Sequence, residues 1–101
     1  MLTKKESVKF MSVVIVGGNE RMIRRYKDLC EEYNCTAKVF IEMNSSLKNI
    51  GNPDLLVLFT NTMSHKMINC ALNGVKGQNV SVARSHTSSI AALRNILNQH
   101  T

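Results

Sequence analysis

Ser12-Val13-Val14-Ile15-Val16-Gly17-Gly18-Asn19-Glu20 is the stretch that decides the fold. A continuous β-branched run suits a strand buried on both faces, as in a parallel sheet. Gly17-Gly18 ends that strand. From Asn19 to about Tyr33 the apolar residues Met22, Ile23, Tyr26, Leu29, Cys30 and Tyr33 recur at helical spacing. Asn19 can cap this helix, Glu20 suits its positive end, and Asn34 is a stop signal.

The same grammar continues downstream. Thr36–Ile41 reads as a second strand, less continuous in apolarity and nearer an edge, and Met43–Ile50 as a short helical turn capped at Asn44 or Ser45. Gly51-Asn52-Pro53 resets the chain before Asp54–Thr60, the most strongly buried-looking strand. Ser64 can cap a helix from His65 to about Val75 with Met67, Ile68, Ala71, Leu72 and Val75 on one face. Asn79–Ala83 is a short fourth strand. The hydroxyls of Ser85–Ser89 offer caps for a last helix that buries Ile90, Leu93, Ile96 and Leu97. Strands alternating with helices make right-handed crossovers onto one parallel sheet. The expectation is an α/β, three-layer, Rossmann-like or flavodoxin-like domain with a four-stranded parallel sheet in the order 2-1-3-4, the two most apolar strands at its centre.

Composition bounds the rest. The 101 residues make one domain, residues 11–101, preceded by a charged arm over residues 1–10 that is either frayed or at a subunit contact. Thirteen Lys+Arg against seven Asp+Glu give a formal charge of +6, in a chain that is 44% apolar and so able to build a core. No run is long and apolar enough for a membrane span, and the N-terminus has no secretory signal pattern. Three cysteines, Cys30, Cys35 and Cys70, form an odd set that argues for a reducing cytoplasm over a disulfide scaffold.

In open α/β sheets ligands gather beyond the carboxyl ends of the strands. That rule singles out Gly17-Gly18-Asn19-Glu20-Arg21, Glu42-Met43-Asn44, Thr60-Asn61-Thr62-Met63-Ser64-His65-Lys66 and Arg84-Ser85-His86-Thr87-Ser88-Ser89. Gly17-Gly18 would let the backbone approach a ligand, although no complete phosphate-loop pattern follows. His65 and Lys66 fall in the first turn of a helix, where cations oppose the macrodipole; that mismatch points to an anionic ligand. Arg84 with Ser85, Thr87 and Ser88 repeats the design, charge beside hydroxyls and helix-start amides. Ser64-His65 and Ser85-His86 lack the third partner and the elbow motif of a hydrolase, so no catalytic residue is assigned and a binder is favoured over an enzyme. No metal-ligand spacing is present, but His65 and His86 could meet across two loops, with Glu20 or Glu42 as a further ligand, in a metal or haem site. Arg21, Arg24, Arg25 and Lys27 form the densest basic stretch, either a solvated face or a footprint for nucleic acid. The scarcity of aromatics argues against a stacking platform for single strands.

Val-Ile-Val-Gly-Gly-Asn-Glu (14–20), an apolar strand followed by Thr-Asn-Thr-Met-Ser-His-Lys (60–66), and Arg-Ser-His-Thr-Ser-Ser (84–89) before a Leu-containing helix together resemble the bacterial domain-of-unknown-function family number 2325. The resemblance spans about residues 11–98. It implies a small Rossmann-like fold and a bacterial or phage origin, and it brings no activity with it. The family has Gly where this chain has Ser88 or Ser89.

The reading reached from sequence is a cytoplasmic binder of an anionic small molecule, a nucleotide or other phosphorylated metabolite. Gly17, Gly18 and Asn19 form the floor of its site. Thr60, Asn61, Thr62, Ser64, His65, Lys66, Arg84, Ser85, His86, Thr87 and Ser88 supply charge and hydrogen bonds, the histidines a pH-sensitive contact. A homodimer or higher oligomer would complete so small a pocket. No cofactor is assigned. The alternatives are a nucleic-acid-binding or regulatory adaptor acting through the basic first helix, and a metal or haem protein built on His65 and His86.

Overall fold

Two mainly apolar strands, β1 (Met11–Val16) and β3 (Leu55–Phe59), pair in parallel at the centre of the sheet, with Val14 opposite Leu56 and Val16 opposite Leu58. The computed structural model describes residues 11–42, Leu47 and 50–101. Strand β2 (Cys35–Phe40) lies outside β1 and β4 (Ser81–Ser85) outside β3, both parallel, giving the expected order β2-β1-β3-β4. Helices α1 (Ile23–Glu32), α2 (His65–Gly74) and α3 (Ile90–His100) complete the α/β unit.

Alternate side chains of the central strands enter opposite layers, as the period of two requires. Val13, Ile15, Leu55, Val57 and Phe59 pack against Tyr26, Leu29 and Cys30 of α1 and Leu93, Ile96 and Leu97 of α3. Val14, Val16, Leu56 and Leu58 pack against Met67 and Ala71 of α2, Val75 just after it, and Leu47 and Ile50. The sheet is thus covered on both sides, which is why its central strands read as unbroken apolar runs.

Several boundaries differ from the sequence expectation. Asn19 caps a 3-10 turn, Glu20–Met22, rather than α1: its Oδ1 accepts the Arg21 N–H at 2.9 Å, and the Met22 N–H donates to the Asn19 carbonyl. The resulting i→i+3 bond is what tightens the turn. Helix α1 then begins at Ile23 with no side-chain cap. The fourth strand runs Ser81–Ser85 rather than 79–83, because its register on β3 opens with Ser81 beside Leu55. Val80, apolar enough to read as part of that strand, packs on the α2 side before the ladder begins. Asp54 and Thr60 fall outside β3: Asp54 accepts the Ser12 N–H through its carboxylate at 2.8 Å, and Thr60 opens a second 3-10 turn, Thr60–Thr62. Ser64 caps α2 and Ser89 caps α3, each accepting the amide three residues on at 3.1 Å. Asn34 takes φ 59°, the left-handed stop expected after α1. The arm over residues 1–10 and the helical turn expected over Met43–Ile50, apart from Leu47 and Ile50, lie outside the described residues. Among the described residues no helix is long and apolar enough to cross a membrane.

Cys30, Cys35 and Cys70 are free thiols, the first two buried and Cys70 half-buried. Burial, and secondarily the neighbouring Cys35, pushes the Cys30 thiol up to about 12; burial, then Asp54, raises Cys35. Cys30 and Cys35 are thus packed thiols held toward the protonated, weakly nucleophilic form.

Candidate functional site

All three helices start where a strand has just ended, so the carboxyl edge of the sheet gathers the loops after β1, β3 and β4. Side-chain hydroxyls lock these loops together. The Gly18 N–H donates to the Thr62 Oγ1, which itself donates to the Phe59 carbonyl at 3.1 Å. The Tyr26 hydroxyl accepts the Asn19 N–H at 3.2 Å and donates to the Ser88 carbonyl at 2.7 Å. Thr60 Oγ1 reaches the Ser85 carbonyl at 3.4 Å, and Ser85 Oγ donates to the Thr87 carbonyl at 2.7 Å. The first loop is thereby tied to both of the others.

This locking changes what Gly17-Gly18 is for. Both glycines are buried and have positive φ, 89° and 100°. A Cβ on Gly17 would stand 2.8 Å from the Phe59 carbonyl oxygen and from Met63 Cγ; one on Gly18 would stand 2.9 Å from the Tyr26 ring. The close approach these glycines permit is to the protein's own loops. The amides of Gly18, Asn19, Arg21 and Met22 are already bonded within the protein, so the turn does not present the open nest of amides that holds phosphate in a dinucleotide fold.

The start of α2 is different. His65 and Lys66 occupy its first turn, both exposed, and no acidic residue accompanies them there. Arg84 is the register partner of Leu58, whose side chain enters the α2 layer, so Arg84 stands on the α2 face of the sheet. Because α2 packs over β1 and β3, Arg84 on the edge strand is left exposed. Asn61, Thr62, His86 and Thr87 are exposed in the loops after β3 and β4, while Thr60, Ser85 and Ser88 are half-buried where the bonds that lock the loops are made. Ser64 is committed to its cap.

The opposite corner has the other sign. Glu20 and Glu42 rim an open depression of about 270 Å3 floored by Ile23, Val39, Phe40 and Ile41, between the first loop and the end of β2. Glu20 and Glu42 thus lie toward β2, with exposed Arg21 beside Glu20 in the first loop, and Arg84 lies on β4 at the other edge of the sheet. Glu20 and Glu42 stand apart from the corner that holds Lys66 and Arg84, and among the described residues no three His, Cys, Asp or Glu side chains gather into a metal-holding group.

Two features escape sequence reasoning. Tyr26 reads there only as part of the apolar helix face. The available signal is its hydroxyl, which needs a partner when the ring is buried. The depression is invisible in sequence because its floor combines one helix residue with the outer side of an edge strand, a pairing set by packing alone.

The family model described as "Uncharacterized protein conserved in bacteria (DUF2325)" matches residues 12–100. The chain belongs to the DUF2325 family. The match starts inside β1 and ends with α3, so the DUF2325 domain corresponds to the whole four-stranded unit. No curated protein and no solved structure matches the chain.

Proposed function

We propose that this DUF2325 domain is a cytoplasmic binder of an anionic small molecule, a nucleotide or other phosphorylated metabolite, held at the tips of β3 and β4. The observation that carries the reading is the placement of His65 and Lys66 in the first turn of α2, with Arg84 on the same face. Cations at a helix N-terminus oppose its dipole and cost a few tenths of a kcal/mol each, a cost that an anion bridging Lys66 and Arg84 reverses. The orphan amides at the start of α2 supply further donors beside Lys66. The locked first loop acts as a wall to this site and the ligand's charge lies on the β4 side of it, away from Glu20 and Glu42. Binding without chemistry suits a corner that pairs cations with hydroxyls. A second copy of the chain would close the open side, which sedimentation with and without ligand would reveal.

Thermal-shift measurements with nucleoside mono-, di- and triphosphates and pyrophosphate test the reading. A ligand present at a hundredfold excess over Kd stabilises by about 2.7 kcal/mol, a rise of roughly ten degrees or more for a domain of this length. The Lys66→Ala/Arg84→Ala variant is expected to lose that rise. Absence of any shift in the wild type, or an undiminished shift in the variant, overturns the proposal.

A further inference from the structure

Helix α1 carries its charges in the reverse of the order its dipole favours. Arg21, Arg24, Arg25 and Lys27 crowd its N-terminal half and the turn before it, whereas Asp28, Glu31 and Glu32 follow toward the C-terminus. Arg21, Arg24, Arg25 and Lys27 are all exposed. The buried side of the helix is taken by Tyr26, Leu29 and Cys30, which leaves the cations on the arc facing away from the sheet. Among the described residues the one ion pair is Arg94 to Glu32, at 3.9 Å, across α3 and the C-terminal end of α1. The acidic end of the helix is thus partly engaged by the protein itself, and among the described residues no acidic side chain pairs with the basic end.

From these observations we infer that the basic half of α1 is a docking surface for the phosphate backbone of duplex nucleic acid. Arg21 to Lys27 covers about 10 Å of helix axis. Duplex DNA presents one charge per ~1.7 Å of its own axis with both strands counted, so this length spans about six phosphates over the two strands, a charge density comparable with the four cations opposite it. Three of the four are arginines, whose planar forks grip phosphate in two places. The surface carries no exposed aromatic on which an unpaired base could stack: Tyr26 is buried and Tyr33 is bonded through its hydroxyl to Asn98 Oδ1 at 2.7 Å. That favours backbone contact over single-strand stacking. Asp28 and Glu31 bound the surface on its C-terminal side and Glu20, exposed in the turn before α1, bounds it at the strand tips, so phosphate is confined to the arc of cations between them. The surface is separate from Lys66 and Arg84, which lie on the α2 side of the sheet.

Fluorescence anisotropy of a short labelled duplex, measured across a salt series with the full chain, tests the inference. Four phosphate contacts give a slope of log K against log salt of roughly −3 to −4. Arg24→Ala/Arg25→Ala is expected to reduce that slope by about 2 and weaken binding at least tenfold at low salt. Lys38→Ala/Lys76→Ala, which removes the same charge elsewhere, should change it far less, and Lys66→Ala/Arg84→Ala likewise. Unchanged far-ultraviolet dichroism in the variants confirms that these substitutions leave the fold intact. The inference is overturned if duplex fails to bind at low salt, if the two charge-removal pairs weaken binding equally, or if anionic phospholipid vesicles bind through α1 and duplex does not.

Discussion

The Tyr26 hydroxyl donates to the Ser88 carbonyl at 2.7 Å across 62 residues of chain, joining the first helix to the loop before the last. The same oxygen accepts the Asn19 N–H. One buried side chain thus holds the loops after β1 and β4 in fixed relation. Tyr26→Phe keeps the ring packed on Phe59, at a centroid distance of 5.4 Å, and removes only the hydroxyl's bonds. Leaving their backbone partners unsatisfied costs about 1–3 kcal/mol. Urea unfolding should show that loss with an unchanged m-value; a neutral substitution would mean that water replaces the hydroxyl.

The glycines separate two costs of a side chain. At Gly17, φ is 89° and a Cβ would meet backbone oxygen and side-chain carbon at 2.8 Å, while Gly77 has φ 80° and nothing within 4 Å. Gly77→Ala should therefore cost only the left-handed penalty of about 1–2 kcal/mol. Gly17→Ala should cost clearly more, since the Phe59 carbonyl belongs to a central strand and cannot retreat cheaply. Equal melting temperatures for the two variants would refute the difference.

The raised thiols make the protein less stable in alkali. In the unfolded chain Cys30 ionises near its ordinary value of 9.0, and in the folded chain near about 12. Between these values the unfolded state has released a proton that the native state keeps, so stability falls as pH rises, by about 1.4 kcal/mol per pH unit for one thiol. Cys35, raised in the same direction, adds to the slope. Stability measured by denaturant from about pH 8 upward should decline above about 9, and Cys30→Ala should flatten the decline. Alkylation of the native protein should reach half-buried Cys70 before Cys30 or Cys35.

Lys66 sets stability against binding. Replacing it by Glu puts a favourable charge at the N-terminus of α2 and should stabilise the ligand-free protein by a few tenths of a kcal/mol. The same variant should lose the thermal shift with phosphorylated ligands. A gain in stability together with retained binding would show that the site does not use this residue.

The architecture is legible because β1 and β3 are buried on both faces and therefore announce themselves as unbroken apolar runs. Edge strand β4 reads two residues early, since a Ser-Val-Ala-Arg-Ser stretch carries no burial pattern and its limits follow from pairing with β3. Ser64 and Ser89 are readable as caps because capping acts over three residues. The Tyr26–Ser88 and Gly18–Thr62 bonds are not, since each joins residues that only the folded sheet brings close. Gly17-Gly18 reads in the sequence as a floor for a ligand, and the geometry places the protein's own loops against it. Local sequence signals a tight backbone approach and leaves open what approaches.

Three hydroxyls, those of Thr60, Thr62 and Tyr26, do at the carboxyl edge what strand pairing does within the sheet. Loops joined in this way have little conformational freedom left to surrender. A ligand settling beside β4 would then dock onto a surface already set, with an affinity governed by contacts and charge, and its arrival would leave the backbone almost where it was.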